Sequence, residues 1–237
     1  MARKKTSLVS DAIAYIAEKI LDYELMPGNP ISDCKIAQEM SKKLGVKISR
    51  SPVREALTIL QSDGLVEVID DKCCVARITD RDVFEICQVR NAIEQQAVII
   101  CMENGDFPDY QKEHLCKLHD ALISAEDDSD PQSAYSIDDD FHRYLVACTN
   151  NRRLIDIANQ MCTQMQRVRF INTFFPNRRR EFNFEHVEIL NAILTNDKQR
   201  ALDAIYAHNR NTQKNFHNFF ESDELRRALL CFLDPTD

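Results

Sequence analysis

Once in 237 residues, just past Gly64, the apolar side chains stop recurring at helical spacing and fall into a period of two. Residues 65–69 read as a strand, Asp70-Asp71-Lys72 as a turn, and residues 73–78 as the returning strand of a hairpin. Three helical stretches precede it. Leu8, Ala12, Ile16 and Ile20 mark one face of a helix over residues 8–21, broken off by Met26-Pro27-Gly28-Asn29-Pro30. Ile36, Ala37 and Met40 face inward from a second helix over residues 33–43, with Gly45 just past its end. The third helix begins within ISRSPVREAL, residues 48–57, and ends at Gly64.

Those ten residues combine a helix start, two guanidinium groups and an apolar stripe. Ser51 is suited to cap the helix and Pro52 to take its first position, where a missing N–H is no loss. Val53, Ala56, Leu57 and Leu60 recur at core-facing spacing, which leaves Arg50 and Arg54 on the other side, near the helix N-terminus. Partial positive charge and free N–H groups at that end suit a phosphate or a guanine edge. Alone, the stretch is also what a solvated amphipathic helix looks like. Three short helices followed by a hairpin, however, are the winged helix-turn-helix plan. In that plan the third helix enters the major groove and the hairpin touches the flanking backbone.

Charge divides the chain at the same place. Residues 1–78 carry 12 Lys and Arg against 11 Asp and Glu, and residues 79–237 carry 18 against 27, so only the first part is compatible with a polyanion. Two domains are expected, 1–78 and 79–237. With 44% hydrophobic residues a packed core is affordable, and 4 Gly and 7 Pro indicate a mainly α chain. No run approaches the ~18 apolar residues of a membrane helix, and MARKKTS lacks an apolar signal segment, so a soluble, cytoplasmic protein is expected. Nine cysteines without CxxC spacing read chiefly as small buried hydrophobes in a reducing compartment. The adjacent pair Cys73 and Cys74 leaves a redox-sensing variant open.

Thr79-Asp80-Arg81-Asp82 is a capping-box-like signal with Asp in the Glu position. Beyond it every segment reads as helix: residues 80–103, 110–126, 133–148, 151–170, 178–195, 198–219 and 222–232. Short connections make these an all-α antiparallel bundle.

Together these residues resemble the GntR superfamily of bacterial transcription regulators. The resemblance runs from Pro27-Gly28 through Ile36-Ala37, Leu44-Gly45-Val46, ISRSPVREAL and Gly64-Leu65-Val66. The second part resembles the superfamily's FadR-type (FCD) effector domain: Arg90 with Glu94, Asp138 with Phe141-His142, Asn150, Glu185-His186 and His208. The resemblance implies that Arg50, Ser51 and Arg54, with Ser49 beside them, contact a double-stranded DNA operator. An arginine can pair with guanine O6 and N7, and a serine hydroxyl can bind phosphate. Three positions depart from the pattern. Lys47 and Ile48 are additional residues before Ser49, Cys34 replaces a common basic residue, and the tip Asp70-Asp71-Lys72 lacks the usual wing glycine. Carboxylates at that tip repel phosphate, which leaves Lys72 as the wing's candidate contact.

Asp138 and His142 lie four apart, so a helix places both on one face beside Phe141 and Leu145. His186 follows Phe182 and Phe184 and precedes Val187 and Leu190, and His208 follows Ile205 on another helix. One Asp and three His make a plausible divalent-cation site, although spacing alone equally allows histidines hydrogen-bonded in a core. The FCD ligand pattern matches all four, and N/O ligands suit zinc, manganese, nickel or iron. In resembling proteins a small organic acid binds there. Arg90 and Asn150 are the effector candidates, with an intrahelical Arg90–Glu94 ion pair as the alternative for Arg90. The expected function is a homodimeric, ligand-responsive regulator, most simply a repressor, on a palindromic operator. A metal-dependent helical enzyme is the contrasting reading, against which no nucleophile–base pair or paired carboxylates stand out.

Overall fold

The computed structural model describes residues 5–103, 107–124, 131–167 and 178–225, and the side chains of 8–103, 107–124, 137–167 and 181–225. The chain divides into two compact units, Met1–Ile78 and Thr79–Asp237.

In the first unit α1 (Lys5–Leu21), α2 (Asp33–Leu44) and α3 (Arg50–Ser62) are followed by β1 (Val66–Ile69) and β2 (Lys72–Val75). The apolar stripes found in the sequence become one core: Ala12, Ile16, Ile20, Ile36, Ala37, Met40, Val53, Ala56, Leu57 and Leu60 are all buried in it. Ser32 caps α2 by accepting from the Lys35 N–H at 3.3 Å, and Gly45 closes that helix at φ 66°, a left-handed value that disfavours a side chain.

The start of α3 differs from expectation. Its N-cap is Ser49, without a side-chain cap bond, and Ser51 lies within the first turn. Pro52 still costs nothing there, because the first four helical N–H groups have no intrahelical acceptor. The additional Ile48 is not a loose insertion. Its side chain is buried and its N–H donates to Ser41 Oγ at 2.9 Å, which pins the turn before α3.

β1 and β2 pair antiparallel with Ile69 opposite Lys72, so the connection is the two residues Asp70 and Asp71. Both have positive φ, 46° and 59°, the combination of a type I′ turn, and Asp tolerates it without glycine. Residues 28–31 add to the outer edge of β2 through Gly28 N–H to Val75 O, Val75 N–H to Asn29 O and Ile31 N–H to Cys73 O, 2.7–2.9 Å. Cys74 is buried and Cys73 half-buried, on opposite faces of the strand.

The second unit contains α4 (Asp80–Glu103), α5 (Asp109–Ser124), α6 (Pro131–Ala147), α7 (Arg152–Gln166), α8 (Arg178–Leu194) and α9 (Lys198–Glu221). The capping box at its start forms with Asp: Thr79 N–H donates to Asp82 Oδ2 at 2.8 Å and Asp82 N–H to Thr79 Oγ1 at 3.2 Å. Asn151 and Asp197 cap α7 and α9 one-way, their side-chain oxygens accepting first-turn N–H groups. Phe141, Leu145, Ile189, Ile193, Ala201 and Ile205 form the main core, so α6, α8 and α9 turn their stripes toward one another. The helix expected over residues 222–232 lies mostly outside the described residues.

Candidate metal centre and nucleic-acid interface

His142 on α6, His186 on α8 and His208 on α9 are fully buried, and one ring nitrogen from each lies within 4.8 Å of the others. Asp138, one turn before His142, lies beside two of the three, its Oδ1 3.1 Å from His186 Nε2 and 3.7 Å from His142 Nε2. The Nε2 atoms of His142 and His186 stand 3.2 Å apart. Two ligands about 2.1 Å from one cation, at tetrahedral or octahedral angles, stand roughly 2.9–3.4 Å apart.

Two of the three imidazoles, His186 and His208, are held from behind by a hydrogen bond at the other nitrogen, and His142 has a carboxylate beside its Nδ1 without an aligned bond. His186 Nδ1 lies 2.6 Å from the Phe182 carbonyl, His208 Nδ1 2.8 Å from Glu185 Oε2, and His142 Nδ1 3.1 Å from Glu94 Oε1. A proton kept on Nδ1 leaves the Nε2 lone pair free, the arrangement that orients metal-ligating histidines. Phe141 walls the cluster, edge-on to His186 with centroids 4.9 Å apart, and Phe182 lies 5.8 Å from the ring of His208. Burial pushes His208 down to about 4, against the pull of Glu185, so it is neutral at pH 7 and available as a ligand. Burial is the largest influence on His142 and opposes a charge there, but the Glu94 and Asp138 carboxylates together raise the ring. One carboxylate and three nitrogen donors, two of the imidazoles braced from behind, fit a divalent cation.

Arg90 and Glu94, one turn apart on α4, are both buried and paired: Arg90 Nε donates to Glu94 Oε1 at 3.1 Å. The ion-pair reading of Arg90 is therefore realised. Its Nη2 is 3.1 Å from the same oxygen but poorly aligned, and has no hydrogen-bond acceptor among the described residues. Glu94 also accepts from Asn209 Nδ2 at 3.1 Å, so one carboxylate joins α4, α6 and α9 behind the cluster. Burial works against its charge, yet His142 and Arg90 hold it well below the usual carboxylate range.

Asn150 is not brought to this cluster. It is exposed in the α6–α7 turn at φ 53°, eight residues past His142, a rise of roughly 12 Å if helical throughout. Asn is among the few side chains that tolerate that backbone, which accounts for its presence.

In the first unit Ser49, Arg50, Ser51, Arg54 and Lys72 are exposed, and Val53, Ala56 and Leu57 fix the opposite face of α3 in the core. One partner was not foreseen. Asp33, the first residue of α2, accepts from Arg50 Nε at 3.0 Å and Arg50 Nη2 at 2.9 Å, and also from Arg54 Nε. The acid had the look of an ordinary first-turn residue that suits the helix dipole, so only the packing of α2 against α3 reveals it.

Residues 8–75 match the family described as bacterial regulatory proteins, gntR family, and residues 85–211 match the FCD domain. The chain belongs to the GntR family, with an FCD domain. Among similar proteins, the Bacillus subtilis uncharacterized HTH-type transcriptional regulator YdhC is 27% identical over 81% of this chain and 84% of its own length. The Nta operon transcriptional regulator of Aminobacter aminovorans is 26% identical over 85% of this chain and 89% of its own. The solved structure of Escherichia coli McbR/YncC superposes with a TM-score of 0.74 at 19% identity, over 93% of this chain and all of that one, a likeness of fold. This GntR-family member is thus a transcription regulator with an effector-binding FCD domain, not an enzyme. Among the described residues no helix is long and apolar enough to cross a membrane.

Proposed function

We propose that this regulator binds a palindromic operator as a homodimer and releases it when a small organic acid enters a metal-assisted site in the FCD domain. The observation that carries the proposal is the convergence of one ring nitrogen from each of three buried histidines, with Asp138 beside His142 and His186 and with His186 and His208 each held through Nδ1. Asp138, His142, His186 and His208 would hold a zinc, manganese, nickel or iron ion, which supplies open coordination positions to a carboxylate when bound. Arg90, whose buried Nη2 lacks an aligned acceptor, anchors the acid by a charge-assisted bond, and Glu94 keeps that guanidinium in place.

On the DNA side, Arg50 and Arg54 read guanine edges, Ser49 and Ser51 meet phosphate, and Lys72 is the basic group of the wing. Homodimer formation is supported by apolar side chains that α4 and α9 leave exposed, Phe84 and Tyr206 among them. Two recognition helices must meet half-sites about one helical turn apart. A ligand that alters their spacing lowers the affinity of a dimer already matched to its operator, which favours repression relieved by the acid. Cys73 and Cys74 give the redox variant no support, since neither is exposed.

A thermal-shift screen of small organic acids, with and without divalent metal, tests this. A hit raises the melting point in the presence of metal and loses its effect in Arg90→Met. Stabilisation that is independent of both metal and Arg90 would refute the proposed site.

A further inference from the structure

Asp33 spends its carboxylate on the two arginines of α3. Its side chain is only 17% exposed, whereas Arg50 and Arg54 are 54% and 63% exposed. The bonds run to particular nitrogens. Among the described residues Arg50 is engaged through Nε and Nη2, leaving Nη1 without a partner, and Arg54 through Nε alone, leaving both terminal nitrogens without one. Without this acceptor, two long side chains one helical turn apart would sample many rotamers, each able to meet a phosphate. Burial alone would raise Asp33, but its bonds to Arg50 and Arg54 hold it below the usual carboxylate range, so the negative charge is present wherever the protein binds DNA.

We infer that Asp33 is the residue that sets sequence discrimination. It fixes the Nε edges of Arg50 and Arg54 so that their free nitrogens address base edges, and its charge opposes their use on phosphate. The inference rests on the reading of Arg50 and Arg54 as base-contacting residues. A guanidinium held by its Nε side still offers the paired N–H groups that match guanine O6 and N7. A phosphate, in contrast, would approach with the carboxylate beside it, and like charges repel. Asp33 thus lowers affinity for arbitrary DNA while preserving affinity for the matched site. It acts through the arginines, as a positioning residue.

The test uses the full-length protein and two duplexes: one selected by the wild type from a random library, and a scrambled version of it. Fluorescence anisotropy gives both affinities across a salt series for the wild type and for Asp33→Asn, Asp33→Glu, Arg50→Ala and Arg54→Ala, with a melting curve for each variant. Asp33→Asn is expected to bind the scrambled duplex several-fold more tightly, with a salt slope steeper by about 0.9 per phosphate newly contacted. Its ratio of selected to scrambled affinity falls roughly tenfold. Asp33→Glu, which keeps the carboxylate, recovers part of the ratio. An unchanged ratio in Asp33→Asn, with the ratio lowered in Arg50→Ala and Arg54→Ala, overturns the role of Asp33 and leaves the arginine reading intact. If both arginine variants lose equally on the two duplexes, the arginine reading fails and this inference with it.

Discussion

Replacing Glu94 by alanine removes a carboxylate that serves three partners at once. Arg90 and Glu94 are 4% and 3% exposed, so neither charge is relieved by water when the other is gone. Breaking such a buried pair costs about 3–5 kcal/mol, mainly through the uncompensated charge left behind. Asn209 Nδ2 loses one of its two acceptors in the same substitution, and His142 loses the carboxylate beside its Nδ1. For a unit of this size each kcal/mol moves the melting point by roughly 2–4 °C, so a drop of about 6–20 °C is expected. The double variant Arg90→Met/Glu94→Leu removes both charges and refills the volume. It should regain most of the loss, retaining a deficit of about 0.5–1.5 kcal/mol for the lost Asn209–Glu94 hydrogen bond. Urea unfolding of metal-free wild type, Glu94→Ala, Glu94→Leu, Arg90→Met and the double variant, followed by far-UV circular dichroism, completes the cycle. A loss below about 1 kcal/mol in Glu94→Ala, or a double variant as unstable as the two losses added together, would refute the argument.

Arg50→Ala should weaken operator binding by about 1–3 kcal/mol and nonspecific binding less, and equal losses on both duplexes in an anisotropy titration would remove its reading role. Asp82→Ala breaks the capping box at the start of α4 and should cost about 1 kcal/mol in thermal unfolding, whereas Asp82→Glu should be nearly neutral. Because the folded-state pKa of Asp33 is depressed, its contribution is complete above the ordinary carboxylate range and fades as pH falls through the folded value. Acid titrations of stability should therefore be flatter below pH 4, approximately, in Asp33→Asn than in the wild type, and parallel curves would contradict the ion-pair assignment.

The winged helix-turn-helix and the bundle were legible because each rests on periodicity, and burial follows it closely, as at Ile16, Met40, Leu60 and Phe141. Element starts were less legible. Ser51-Pro52 looked like a helix start because Pro favours the first position, yet the same residue is tolerated anywhere in the first turn, and the helix begins at Arg50. The hairpin tip lacks glycine, and the pair of left-handed Asp residues that replaces it has no strong sequence signature. For the candidate metal centre, spacing could place Asp138 and His142 on one face but left open whether three helices would converge. What sequence could not show was the support behind the ligands: Glu94 touching His142, Glu185 touching His208, and Asp33 between two arginines are all contacts between different helices.

Effector sensing as proposed requires the Asp138, His142, His186 and His208 cluster to bind a divalent cation. Titration calorimetry of metal-stripped protein with zinc and with manganese measures this directly. One site per chain is predicted, abolished in His186→Ala/His208→Ala, while the selected duplex is still bound by the unaltered first unit. No binding of zinc, manganese, nickel or iron by the wild type, or undiminished binding by the double variant, would contradict it.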